Sequence, residues 1–89
     1  MTIRLTPRLL KAARALLGWQ QDELSTQSGV SKSTIGAFEA KDETAKMATM
    51  NNKALVDTLT AAGLQFIPEN GGGAGVRLAK RADGSSGEH

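Results

Sequence analysis

The sequence predicts a small, mainly α-helical fold that ends in a β-hairpin. Between residues 7 and 62, apolar residues recur at the three- and four-residue spacing of amphipathic helices. After Gly63 the spacing changes to the alternation that is typical of strands, over residues 64–67 and 76–79. The chain has 89 residues, of which 39% are hydrophobic and 3% aromatic, so we expect one domain with a core of Leu, Ile, Val and Ala.

Composition excludes several classes of protein. The net charge of +2 permits nucleic-acid binding but does not by itself indicate it. The chain has no cysteine, which excludes disulfides and thiolate metal sites and fits a reducing cytoplasm. No apolar run approaches the roughly 20 residues that a membrane span requires, so we expect no membrane partner.

The middle of the chain predicts two short helices joined by a sharp turn. The first covers residues 21–28 and ends at Gly29, because glycine tolerates the left-handed conformation that closes a helix. Ser31 can cap the second helix by accepting a hydrogen bond from a free backbone N–H. Ile35 and Phe38, three residues apart, give that helix an inward face. A short helix held across another by a glycine-containing turn is the helix-turn-helix arrangement.

This stretch resembles the Cro/repressor-type, or XRE-like, helix-turn-helix family of transcriptional regulators. The matching residues lie at fixed spacing and are Gln21, Asp22, Glu23, Leu24, Gly29, Val30, Ser31, Ser33, Thr34, Ile35, Phe38 and Glu39. The resemblance extends back to Arg14 and, more weakly, forward to about Leu78. It implies a five-helix, phage-repressor-like DNA-binding domain from a bacterium or phage.

We expect three regions along the chain. A helix-turn-helix DNA-binding domain occupies residues 1–63 and a C-terminal β-hairpin occupies residues 64–80. The Gly/Ser-rich, charged segment 81–89 is expected to be disordered.

The ends of the helical region are less regular than its middle. Thr6 as cap and Pro7 in the first turn predict the start of the first helix, and Gly18 predicts its end. The apolar residues at helical spacing between them are Leu9, Leu10, Ala13, Leu16 and Leu17. Residues 51–62 predict the last helix. Before it, residues 45–50 form either a short separate helix or a continuation into the last one. Met47 and Met50 are interpreted as core residues at helical spacing.

The resemblance also implies where DNA binds. Gln21 begins a helix, where the N–H groups favour a phosphate, and in the family the matching Gln contacts the DNA backbone and braces the recognition helix. Lys32 and Ser33 fall in the first turn of that recognition helix, the end that reaches base edges, and Lys suits guanine O6 and N7. The alternative for Lys32 is a phosphate contact or a solvated side chain. The predicted DNA-contacting residues are Gln20, Gln21, Ser31, Lys32, Ser33, Thr34, Gly36, Ala37, Lys41 and Lys46.

The sequence departs from the family at several of these positions. Gly36 and Ala37 stand where longer polar side chains are usual. We therefore expect few direct contacts with bases and a larger contribution of DNA shape to sequence specificity. Lys41 replaces the usual Gly, which alters the expected path of the following loop over DNA. The resemblance also implies that Arg14 pairs with Glu39 at the end of the recognition helix, the alternative being a solvated surface pair.

Catalysis is not expected from this set of residues. The only histidine is the terminal His89, and the carboxylates are scattered. The glycine run at residues 71–75 lacks the Gly-Lys-Ser/Thr ending of a phosphate-binding loop, so it is interpreted as a hairpin loop. We therefore expect no enzyme activity, no metal and no cofactor.

Three hypotheses for function remain open. The first is a cytoplasmic, nucleoid-associated regulator that binds operator DNA. The second is an antitoxin-type protein that neutralises a toxin partner and autoregulates its operon, and the third is a protein-interaction module without DNA binding.

The hairpin predicts a homodimer. Its apolar residues Leu64, Phe66, Val76 and Leu78 form one face that is too large to leave exposed on a small domain. That face either meets its copy in a second subunit or covers the helix containing Leu55 and Leu59 of its own domain. A dimer would place two recognition helices roughly 34 Å apart on one side of DNA.

Overall fold

The computed structural model describes residues 3–69 and 71–79. The segment 81–89 that we expect to be disordered lies outside the described residues, and so does Asn70 of the predicted hairpin turn. The elements, in chain order, are α1 (Pro7–Leu17), α2 (Gln21–Ser28), α3 (Lys32–Glu39), α4 (Thr49–Ala61), β1 (Leu64–Ile67) and β2 (Gly75–Leu78).

Helix α1 begins and ends where its sequence predicts. The hydroxyl of Thr6 accepts a hydrogen bond from the backbone N–H of Leu9 at 3.2 Å, and Pro7 occupies the first turn. Gly18 closes the helix in the left-handed conformation, with φ of 71°. Leu16, which its spacing assigns to the inward face, is 40% exposed because it lies at the edge of the apolar stripe.

The described residues contain four helices, and the expectation of five is wrong. After α3, a carboxylate oxygen of Asp42 accepts a hydrogen bond from the backbone N–H of Thr44, and the Asp42 carbonyl accepts one from Ala45. These bonds close a turn over residues 42–45, and the chain continues without helical structure to Ala48. Buried Met47 then anchors an extended segment, and α4 starts only at Thr49.

Met50 is also corrected by the structure. It lies in the first turn of α4 and its side chain is 84% exposed, whereas Met47 is only 9% exposed. The helical spacing predicted for the two methionines requires one continuous helix, and the extended chain before Thr49 breaks that spacing.

Asn52 ties the N-terminal segment to α4. Its side-chain oxygen accepts a hydrogen bond from the backbone N–H of Leu5 at 2.9 Å, and its amide donates to the carbonyl of Ile3 at 2.6 Å. Asn52 is 9% exposed and Leu5 is fully buried, so both backbone groups are satisfied by this one side chain. Sequence spacing alone gives no signal for this contact, which spans more than 40 positions along the chain.

Replacing Asn52 by alanine is expected to lower the free energy of unfolding by about 2 kcal/mol, because it leaves the buried Leu5 N–H without a partner. Urea unfolding measures the change. Asn51→Ala, in the same turn of α4, is the matched control and should stay within about 0.5 kcal/mol of wild type. Equal losses in the two variants would contradict the anchoring role of Asn52.

The hairpin packs on its own domain. The strands are antiparallel, with Leu64 opposite Leu78 and Phe66 opposite Val76, so these four side chains share one face. Leu64 is buried, and the other three are half-buried against the core. The residues predicted to form a dimerisation face therefore pack on their own chain, where α1 contacts β2 and α4 contacts β1. The opposite face carries a hydrogen bond from Arg77 Nε to Gln65 Oε1 at 2.9 Å.

Candidate nucleic-acid interface

Local hydrogen bonds define both ends of α2 and the start of α3. A carboxylate oxygen of Glu23 accepts from the backbone N–H of Gln20, which starts α2. Gly29 ends the helix with φ of 81°, and its N–H donates to the carbonyl of Ser25 at 2.9 Å. The hydroxyl of Ser31 accepts from the backbone N–H of Thr34 at 3.1 Å and so caps α3. The two helices are therefore separated by only three residues.

A buried carboxylate joins α3 to the two preceding helices. The guanidinium of Arg14 donates to both oxygens of Glu39, from Nε at 2.8 Å and from Nη2 at 2.7 Å. The amide of Gln21 donates to the same carboxylate at 2.9 Å, and Arg14 also donates to the carbonyl of Trp19. Glu39 is 6% exposed, so these bonds form away from water. We call Arg14, Gln21 and Glu39 the Glu39 cluster, and it sets the position of α3 on the domain.

The Glu39 cluster changes the ionisation of its members. Burial alone raises the pKa of Glu39, but hydrogen bonds from Arg14 and Gln21 and the charges of Arg14 and Lys11 outweigh burial and lower the pKa below its ordinary value of 4.5. The hydrogen bond to Glu39 raises the pKa of Arg14, in spite of its partial burial. Both side chains are therefore charged at neutral pH.

The lowered pKa of Glu39 predicts a loss of stability in acid. The stabilisation from the charged carboxylate is complete above the unfolded-state pKa near 4.5 and disappears as the pH falls through the lower folded-state value. Glu39→Gln cannot ionise, so its deficit in unfolding free energy should be largest at neutral pH and shrink below about pH 4.5. Urea unfolding of both proteins from neutral pH to about pH 3 measures this deficit. A deficit that stays constant over the whole range would contradict the charged state of Glu39.

Gly36 lies beneath the side chain of Gln21. A Cβ atom at position 36 would come within 3.2 Å of Gln21 Oε1, closer than ordinary van der Waals contact. Gly36 is half-buried in the α2–α3 contact, and its predicted contact with DNA stays a prediction. The small residue leaves room for the carboxamide that bonds Glu39.

The exposed surface of α3 consists of one lysine and short side chains. Lys32, Ser33 and Ala37 are exposed, and Lys32 is the only basic residue of the helix. Thr34 is half-buried and its hydroxyl accepts a hydrogen bond from that of Ser31 at 2.9 Å, so both of these side chains serve the helix cap. A flat, short-chained helix surface can approach the floor of a DNA groove closely.

Lys32 is paired across the turn with an acidic residue. Its Nζ lies 2.8 Å from Oδ1 of Asp22, and both side chains are well exposed, at 61% and 71%. Together with Arg14, Gln20 and Gln21, these two residues line a shallow depression of about 450 Å³. Sequence reasoning did not predict this ion pair, and the only signal for it was an acidic residue directly after Gln21.

The other predicted contacts lie outside this depression. Lys41 and Lys46 are exposed on the loop between α3 and α4, and Ser31 and Ser33 are exposed at the start of α3. The structure thus brings Gln20, Gln21 and Lys32 together, and places the loop lysines elsewhere on the surface.

Comparison with known proteins identifies one segment. Residues 10–50 match the family model described as Helix-turn-helix, from α1 to the first turn of α4. The search of curated proteins returned no match for the chain. None of the helices in residues 3–69 and 71–79 is long and apolar enough to cross a membrane. The same residues contain no group of three His, Cys, Asp or Glu side chains that could hold a metal ion.

Proposed function

We infer that this chain, whose residues 10–50 belong to the Cro/repressor-type helix-turn-helix family of DNA-binding transcriptional regulators, binds an operator as a homodimer. The observation that carries the proposal is the exposed first turn of α3, with Lys32 and Ser33, held by the buried Glu39 cluster. A recognition helix enters the major groove by this end, and a rigid attachment keeps its side chains at base edges.

Contacts to bases and to phosphates are divided between α3 and α2 in this proposal. Lys32 donates to guanine O6 and N7, while Ser33 and Ala37 allow close approach without adding many hydrogen bonds. The side-chain amide of Gln21 already bonds Glu39, so the phosphate contact depends on the N–H groups at the start of α2 and on Gln20. With few base contacts, DNA shape supplies part of the specificity.

Selection of bound fragments from the source genome, followed by titration at several salt concentrations, tests this function. We expect a near-palindromic sequence to be enriched and the affinity for it to fall as salt rises, because phosphate contacts release counterions. Binding that is absent, or that shows no preference among fragments, would contradict the proposal.

We propose that the dimer forms through a strand edge, since the apolar side chains of the hairpin are already packed. The N–H of Ala79 donates to the carbonyl of Gly63 at 2.8 Å, which makes these two residues a hydrogen-bonded pair. By alternation, the backbone groups of Val76 and Phe66 then point away from the opposite strand of the hairpin. Such edges can pair with a second copy to give a sheet shared across a two-fold axis.

Proline at an edge position tests this dimer, because it removes the outward N–H and leaves the hairpin bonds in place. Phe66→Pro tests pairing through the edge of β1, and Val76→Pro tests pairing through the edge of β2. The proline in the strand that forms the dimer interface should shift the protein from dimer to monomer in sedimentation at tens of micromolar. The matched controls Val76→Ala and Phe66→Ala keep the N–H and should remain dimeric. Dimers that survive both proline variants, or a monomeric wild type, would contradict edge pairing.

The antitoxin hypothesis makes a different prediction about partners. A helix-turn-helix domain joined to a C-terminal strand element fits a protein that neutralises a toxin and binds DNA to control its own operon. A neighbouring toxin gene, and co-purification of its product with this chain, would favour that function. In either case we propose a bacterial, cytoplasmic, nucleoid-associated protein without enzyme activity or cofactor.

A further inference from the structure

The ion pair between Lys32 and Asp22 lies inside the proposed DNA-binding surface. It links the first turn of α2 to the first turn of α3, and it places a carboxylate 2.8 Å from the only basic side chain of the recognition helix. The Glu39 cluster already joins the two helices, and exposed ion pairs add little to stability. Asp22 also lies in the first turn of α2, where a carboxylate interacts favourably with the helix dipole, and the ion pair additionally fixes the position of the Lys32 ammonium group.

We propose that Asp22 is a specificity-determining residue that acts through Lys32. It holds the ammonium group at the base-reading end of α3 and lowers the affinity of that group for DNA phosphates. This inference rests on the proposed function, in which α3 reads operator DNA. Asp22 itself makes no base contact in this proposal and is a positioning residue.

The chemistry of the Lys32 ammonium group explains how Asp22 can affect operator binding and non-specific binding differently. Lys32 Nζ carries three hydrogen-bond donors, so it can bond Asp22 and guanine O6 and N7 together. A phosphate contact by Lys32 instead brings a second negative charge close to the Asp22 carboxylate, and the repulsion between the two anions opposes that contact. Non-specific binding, which depends on phosphate contacts, is therefore weakened more than operator binding.

The test compares Asp22→Asn with wild type on two duplexes, the selected operator and an unrelated sequence, over a range of salt concentrations. We expect the variant to bind unrelated DNA about 3- to 10-fold more tightly at low salt, while its operator affinity changes by less than about twofold. The salt dependence of non-specific binding should steepen by about one counterion, because Lys32 becomes free to contact a phosphate.

Two controls separate this role from a general effect of charge. Asp57→Asn removes the same charge from an equally exposed pair, Lys53–Asp57 at 2.7 Å within α4, and should leave both affinities within about twofold. In a Lys32→Ala background, Asp22→Asn should have no further effect on non-specific binding, since its target is gone.

Several results would overturn the inference. An unchanged ratio of operator to non-specific affinity in Asp22→Asn would do so, and so would an increase that persists without Lys32. A loss confined to one base pair would show that Asp22 reads a base directly. If wild type itself shows no preferred fragment, the proposed function fails first, and that outcome is visible before any variant is made.

Discussion

Replacing Glu39 by alanine is expected to lower the free energy of unfolding by about 3 kcal/mol, which is a large part of the stability of a small domain. The substitution leaves the Arg14 guanidinium, whose side chain is only 18% exposed, without its carboxylate partner. It also removes the acceptor of the Gln21 amide, so the polar contacts of Glu39 with α1 and α2 are lost together.

A double-mutant cycle measures how much of this loss comes from the pair. Thermal or urea unfolding of Glu39→Ala, Arg14→Ala and the double variant gives the coupling energy, and the double variant should lose less than the sum of the single losses. The control is Asp57→Ala, which breaks the exposed pair with Lys53 and should cost no more than about 0.5 kcal/mol. Additive losses for Arg14 and Glu39 would show that the two side chains do not interact energetically.

The elements that sequence predicts well are those with local causes. Thr6, Gly18, Gly29 and Ser31 start or end helices through bonds to neighbours three or four residues away, and these positions agree with the structure. The change to alternation after Gly63 likewise predicts the hairpin, because strand period depends on the residues of the strand itself.

The corrections come from features that depend on packing between distant segments. In place of a helix over residues 45–50, the chain forms a turn at Asp42 and a non-helical segment to Ala48, in which Met47 is buried in the core. The contact of Asn52 with the N-terminal segment has no pattern in the sequence, because a polar residue on a helix looks the same whether it is solvated or buried.

In the candidate site, too, some contacts could be predicted before the structure and others could not. The pairing of Arg14 with Glu39 comes from family resemblance, because nothing in their spacing brings residues 25 positions apart into contact. The pairing of Lys32 with Asp22 is invisible to the resemblance, since it depends on the angle between two particular helices and on two flexible side chains. The close approach of Gly36 to Gln21 also appears only when both helices are in place.

Lys32→Ala is expected to cost about 1–3 kcal/mol of operator binding in each half-site and to relax the preference at one base pair there. The reason is that Lys32 is the only cation on α3 and lies in its first turn, the end that reaches base edges in the proposed function. Competition titrations against operators changed at single positions measure both effects. Lys32→Arg should keep the guanine preference, because its guanidinium can donate to O6 and N7 together.

Comparing Lys46→Ala with Lys32→Ala shows whether Lys32 contacts a base or a phosphate. Lys46 is exposed on the loop before α4, so a contact from it would reach phosphates and carry no base information. That variant should bind all sequences more weakly by a similar factor and reduce the salt slope by about one. If Lys32→Ala instead weakens every sequence equally, Lys32 contacts a phosphate, and the specificity of this chain must come from Ser33 and from the shape of the DNA.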